Sequence, residues 1–160
     1  MPSSIPGAVS NLYALLVAEF ASNPDIEVFY SPSYPTKIMP NVSRVHILGW
    51  TGDQEPAELG PSYRREETYQ IHMQIVAIAG EQSLESQMNL QTMVMDNIFA
   101  PISVLIANNW TLPSTAGGSD GVVRFAEVGT FTYNPELQQR GSRGTLLFTV
   151  HCSQRVTSLT

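Results

Sequence analysis

From Thr68 to Ile75 the side chains alternate without a break. Tyr69, Ile71, Met73 and Ile75 are apolar or aromatic, and Thr68, Gln70, His72 and Gln74 between them are polar. Only a strand has a side-chain period of two, so this segment belongs in a sheet with one face buried. The other face is polar but uncharged, which suits contact with another subunit. Composition points the same way. Charged residues make up 14% of the 160 residues, where a typical soluble domain has roughly 25%. A surface poor in Lys, Glu and Asp is expected where other subunits cover it.

The remaining elements arrange themselves around that strand. Val9, Leu12, Leu16 and Phe20 recur at helical spacing behind a capping Ser4 and a first-turn Pro6, and Leu15 and Val17 widen the apolar stripe. Asn23-Pro24-Asp25 ends this helix. Ile26 to Tyr30 reads as a strand, Pro32 to Pro40 as a restricted extended loop, and Arg44 to Trp50 as a second strand stopped by Thr51-Gly52-Asp53. The polar stretch TGDQEPAELGPSYRRE (Thr51–Glu66) is too long for an ordinary connection. It is expected to project at about 51–67 as a loop or hairpin arm, poorly held in a free subunit, with Arg64 and Arg65 reaching a neighbour. Ser83 caps a helix from about Leu84 to Asn108, with Leu84, Met88, Met95, Ile98, Ile102 and Leu105 on its buried face and a kink or split at Pro101. After a loop from Leu112 to Gly121 come strands at Val122–Tyr133 and Thr145–Cys152, joined through a turn at Gly141-Ser142-Arg143-Gly144. The order predicts an α+β fold in a single domain over residues 1–160. A mostly antiparallel sheet is packed by the N-terminal helix and the long central helix.

Chemistry is hard to find in this chain. His46, His72 and His151 fall on three different predicted strands, so they read as solvent- or interface-facing rather than as metal ligands. Cys152 shares a face with Leu146, Phe148 and Val150, as a small buried hydrophobe does. Gly141–Gly144 lacks a P-loop lysine and a following helix. Glu66-Glu67 reads as solvated charge, and Met88, Met93 and Met95 as adaptable core. The expectation is a chain without catalytic residues, cofactor or metal. A net charge of −6 argues against binding nucleic acid by phosphate neutralisation. No basic residue precedes an apolar run at the N-terminus, and the most apolar stretch, Ile98–Ala107, is half a bilayer span, so neither export nor membrane insertion is expected.

With that layout in place, the chain resembles the tail terminator (tail completion) proteins of long-tailed bacteriophages. The likeness rests on the opening helix IPGAVSNLYALLVAEF, on the strand EETYQIHMQIVAIAG running into a long helix, and on the closing GSRGTLLFTVHCSQRV. The resemblance implies a virion protein, made in the host cytoplasm, that forms a homo-hexameric ring on the head-proximal end of the tail. Its partners would be the tail tube protein and a head-completion or neck protein. DNA would pass through an anionic channel without specific binding. Subunit or partner contacts are expected at Arg64, Arg65, Gln70, His72, Gln74, Arg140 and Arg143. The alternatives are another neck protein (head-completion or stopper), a tube protein, or a ligand-binding or enzymatic α+β domain.

Overall fold

The computed structural model describes residues 3–30, 42–58 and 62–159, with 54–58, 62–65 and 156–159 described as backbone only. The proline-rich stretch Pro32–Pro40 lies outside these residues. Helix α1 (Ile5–Glu19) is followed by β1 (Ile26–Tyr30), β2 (Ser43–Glu58) and β3 (Ser62–Ala79). A long helical stretch then runs through α2 (Leu84–Thr92), a π-helical segment (Met93–Phe99) and α3 (Ala100–Asn108), before β4 (Phe125–Gln138) and β5 (Gly141–Leu159). The five strands form one sheet in the order β1-β2-β3-β5-β4. All neighbours are antiparallel except β1 and β2, which are parallel. This is the expected α+β class, with both expected helices present.

The alternation in β3 decides which face is covered. Tyr69, Ile71, Met73 and Ile75 are buried, and their neighbours in register, Phe148, Val150 and Ile47 among them, are buried with them. Against this face lie Ala8, Leu12, Leu15 and Leu16 of α1 and Leu90, Val94, Ile98, Ile102 and Ile106 of the long helical stretch. Val17, expected to widen the α1 stripe, is exposed instead.

Three expectations about element boundaries are corrected. Strand β2 does not stop at Thr51-Gly52-Asp53. Its register with β3 continues through Gly52↔Tyr69 and Asp53↔Thr68 to Glu58↔Arg64. Strand β5 follows on the other side of β3, from Thr68↔Ser153 to Ser62↔Leu159. A ladder partner on each side keeps β3 extended despite its polar composition. Gly141–Gly144 is not a turn but the start of β5, and the connection is a two-residue turn at Gln139-Arg140. Finally, Leu84 and Met88 are not core residues: they are 73% and 60% exposed.

The cause of that last correction is the π-helical segment. Its wider i→i+5 bonding fits an extra residue into the helix and shifts the phase of what precedes it. The buried row therefore falls every four residues, at Leu90, Val94, Ile98, Ile102 and Ile106, and Leu84 and Met88 turn away from it. Pro101, which has no N–H to give to the carbonyl of Asn97, follows directly in the first turn of α3. It neither splits nor ends the helical stretch. Met93 and Met95 pack partly against the core. The continuous stretch Leu84–Asn108 is long and apolar enough to cross a membrane by length and composition, which the ten-residue run in the sequence did not suggest. Here its apolar row is packed on the sheet.

Candidate interaction surface

The helices lie on one side of the sheet, so its other side is built from the alternate residues of the same strands. Register brings Gln70 of β3 opposite His151 of β5 and Thr51 of β2. His72 lies opposite Thr149, and Gln74 opposite His46 and Leu147. Of the residues expected at an interface, Gln70, His72 and Gln74 are thus brought into one row, each half-buried. The Thr51 hydroxyl and His72 Nε2 are 3.1 Å apart and share a hydrogen bond.

Two shallow depressions mark this face. One, of about 550 Å³, runs past Leu48, Gly49, His72, Thr132, Leu147 and Thr149. The other, of about 380 Å³, runs past Thr51, Asp53, Thr68, Gln70, Glu127 and His151. Where β4 bulges between Val128 and Phe131, its backbone comes down onto the His151 ring. A Cβ placed on Gly129 would sit 2.2 Å from that ring. Only glycine lets strand and imidazole approach so closely. The arrangement is a hydrogen-bonding platform of amides, hydroxyls and imidazoles, with Leu48 and Leu147 exposed in one depression and Asp53 and Glu127 as charges in the other.

The expected arginines stand toward the two ends of the sheet, beyond that row, with Arg143 on the same face as Leu147, Thr149 and His151. The backbone of Arg64 and Arg65 lies in the distal part of β3, opposite Glu58 and Pro56 on β2 and Thr157 and Val156 on β5. Arg140 is in the β4–β5 turn, and Arg143 pairs with Ile78 of β3 and Glu136 of β4. Arg64 and Ile78 are fourteen positions apart on one strand, so the two arginine pairs stand roughly 45 Å from each other at the strand rise of about 3.3 Å per residue.

Two polar residues have roles that residue type alone does not reveal. Glu67, expected to be solvated, is 1% exposed. Its carboxylate accepts from the backbone N–H of Ser4 at 3.0 Å and from the Ser4 hydroxyl at 2.8 Å, and that hydroxyl lies 3.1 Å from the Tyr69 phenol. Ser4 therefore does not cap α1 with its own side chain. A carboxylate from the sheet, 63 residues away, holds the positive end of the helix. His46, expected to face solvent or an interface, is 2% exposed and stacks on Phe29 at 5.2 Å. Burial, and then the charges of Arg44 and Arg143, push its pKa below the usual 6.5. Cys152 is buried on the helix-covered side, and burial raises its thiol pKa to about 12, so the sulfur stays protonated at neutral pH.

Among the described residues no group of three or more His, Cys, Asp or Glu is placed to hold a metal ion. Comparison of the chain with protein-family models and with curated proteins finds no match.

Proposed function

We propose that this chain is a structural protein of a long-tailed bacteriophage, a tail terminator. A ring of about six copies would cap the head-proximal end of the tail tube, end its polymerisation and join tail to head. The observation that carries this reading is the open sheet face, where the neighbouring strands β3 and β5 present Gln70, His72, Gln74, Thr149 and His151 as one uncharged polar patch. Such a face suits a subunit–subunit or subunit–tube contact, where charge would have to be desolvated. The distal run of β2, β3 and β5, bearing Arg64 and Arg65, is available to reach a neighbour, as is the hairpin end at Arg140 and Arg143. The partners are further copies, the tube protein and a head-completion or neck protein.

The test is native mass in solution with negative-stain imaging, for the protein alone and after addition of tube protein. Single rings that stop tube growth support the reading. Long polymers of the protein itself point to a tube protein, and a stable two-fold dimer counts against a ring. The channel is expected to be anionic, because Asp and Glu outnumber Lys and Arg by 14 to 8. A gel-shift titration with duplex DNA at about 50 mM salt, where weak electrostatic binding is visible, should then show none. Saturable binding abolished by R140A/R143A would overturn the charge argument.

A further inference from the structure

Both edges of the sheet are open among the described residues, and each has an apolar groove between edge strand and flanking helix. At the β4 edge, Ile106, Ala107 and Trp110 of α3 and the residues after it face Ala126 and Val128 across about 520 Å³. At the β1 edge, Tyr13, Val17 and Phe20 face Ile26 and Val28 across about 430 Å³. Ala126, Val128, Ile26 and Val28 all pack toward the core, so both grooves lie in the helix layer. Trp110 is 50% exposed and Val17 42%.

An exposed edge strand is a template for pairing, and proteins normally blunt it with Lys, Pro or a bulge. The 14 residues of β4 contain no Lys or Arg, and their proline and bulge fall at Pro135 and Val128/Phe131, leaving Phe125–Val128 regular. The five residues of β1 contain no Lys, Arg or Pro, and each pairing stretch carries a single acid, Glu27 in β1 and Glu127 in β4. Strand direction supplies the rest. Strand β1 runs with β2 and β5, and β4 runs against them. A second copy turned about an axis parallel to the strands therefore brings its β1 antiparallel to β4, the sense in which most of this sheet is already paired.

We infer that the β4–α3 edge of one copy docks the β1–α1 edge of a second copy, extending the sheet across the contact and closing the two grooves on each other. The contact is heterologous, so repetition makes a ring or an open filament. The inference rests on the reading above only for closure into a ring.

W110D and V17D each place a charge at an exposed position of one groove and leave the other edge intact. In sedimentation velocity the wild type should associate beyond a dimer, and each variant alone should be monomeric. A mixture of the two should form a one-to-one dimer that goes no further, since each supplies the edge the other lacks. A wild type still monomeric at about 1 mM, where even contacts of about −4 kcal/mol are half-formed, overturns the inference. So does homodimerisation of either variant, which means an edge pairs with its own kind. Rings formed by both variants also overturn it while leaving the terminator reading standing. The mixed dimer together with wild-type filaments in place of rings keeps the edge contact and removes the ring. Circular dichroism checks the fold, and A107R with Y13D repeats the design at two other exposed positions.

Discussion

The two faces of strands β3 and β5 are made of neighbouring residues on the same backbone, yet they answer to different demands. On the covered face Ile71, Met73, Ile75, Phe148 and Val150 are excluded from water and touch helices, so each side chain there contributes to stability. On the open face Gln70, His72, Gln74, Thr149 and His151 occupy the alternate positions, polar and half-buried, with the Thr149 hydroxyl itself covered near Gly129. Burial against the protein's own helices selects for shape and apolarity. The uncharged polar patch in the middle of the open face, with Arg44 and Arg143 toward one end and Arg155 paired with Glu66 toward the other, is instead suited to contacts made after folding.

Substitutions can break that contrast, and the largest effect belongs to the covered face. Ile71→Ala removes a fully buried side chain beneath α1 and the long helix. It should lower unfolding free energy by about 2–5 kcal/mol in urea titration, as core truncations do. Next is the join between sheet and helix. Glu67→Ala strips the acceptor from the Ser4 N–H and hydroxyl and should cost about 1–3 kcal/mol, the desolvation of groups left unsatisfied. Glu67→Gln keeps an acceptor and should recover part of it.

A smaller effect tests the one buried imidazole of the open side. Because the folded pKa of His46 is depressed below 6.5, the unfolded chain takes up a proton that the folded chain resists. Stability from this group is complete above about pH 6.5 and falls as the pH drops toward the folded pKa. Urea midpoints at about pH 7.5 and about pH 5.5 should differ more for the wild type than for His46→Gln. Equal differences would mean that the burial of the ring is not felt. The smallest change in stability is expected on the open face itself: Gln70→Ala and Gln74→Ala should stay within about 0.5 kcal/mol of wild type. If the face is a contact surface, the same two variants should lose self-association or tube capping, and a stable variant that assembles normally would remove this face from the interface.

What could be read in the sequence was what is local. The period of two from Thr68 to Ile75 located β3 and its covered face, because alternation is decided by the backbone of a single strand. The helical spacing of Val9, Leu12 and Leu16 located α1 in the same way, and Gln70, His72 and Gln74 fell on the open face. The rest depended on partners far along the chain. TGDQEP looked like a stop because its composition disfavours a strand, but β3 pairs with it, and β5 pairs with β3 in turn. Glu67 looked like surface charge because nothing near it in sequence identifies Ser4 as its partner. Leu84 and Met88 were misplaced by a single turn type. Counting at 3.6 residues cannot show where a helix widens.

Strand order carries one more consequence, for the order of events on the ribosome. The strand made last of the five, β5, is not an edge: it sits between β3 and β4. When Phe125–Gln138 emerges it has no neighbour to join, and β3 has been waiting with one side unpaired since Ala79 was added. At about 5–20 residues per second that wait is on the order of 3–12 s until Gly141 appears, during which β3 offers a row of unpaired backbone N–H and C=O groups to any passing chain. Acquisition of the native sheet is then a single late event, dominated by contacts distant in sequence, and folding should be slow for a chain of this size. A nascent chain halted before Gly141 should be captured by chaperones or aggregate, while one released past Leu159 should fold, and pulse-labelled stalled chains would show the change within the 19 residues of β5.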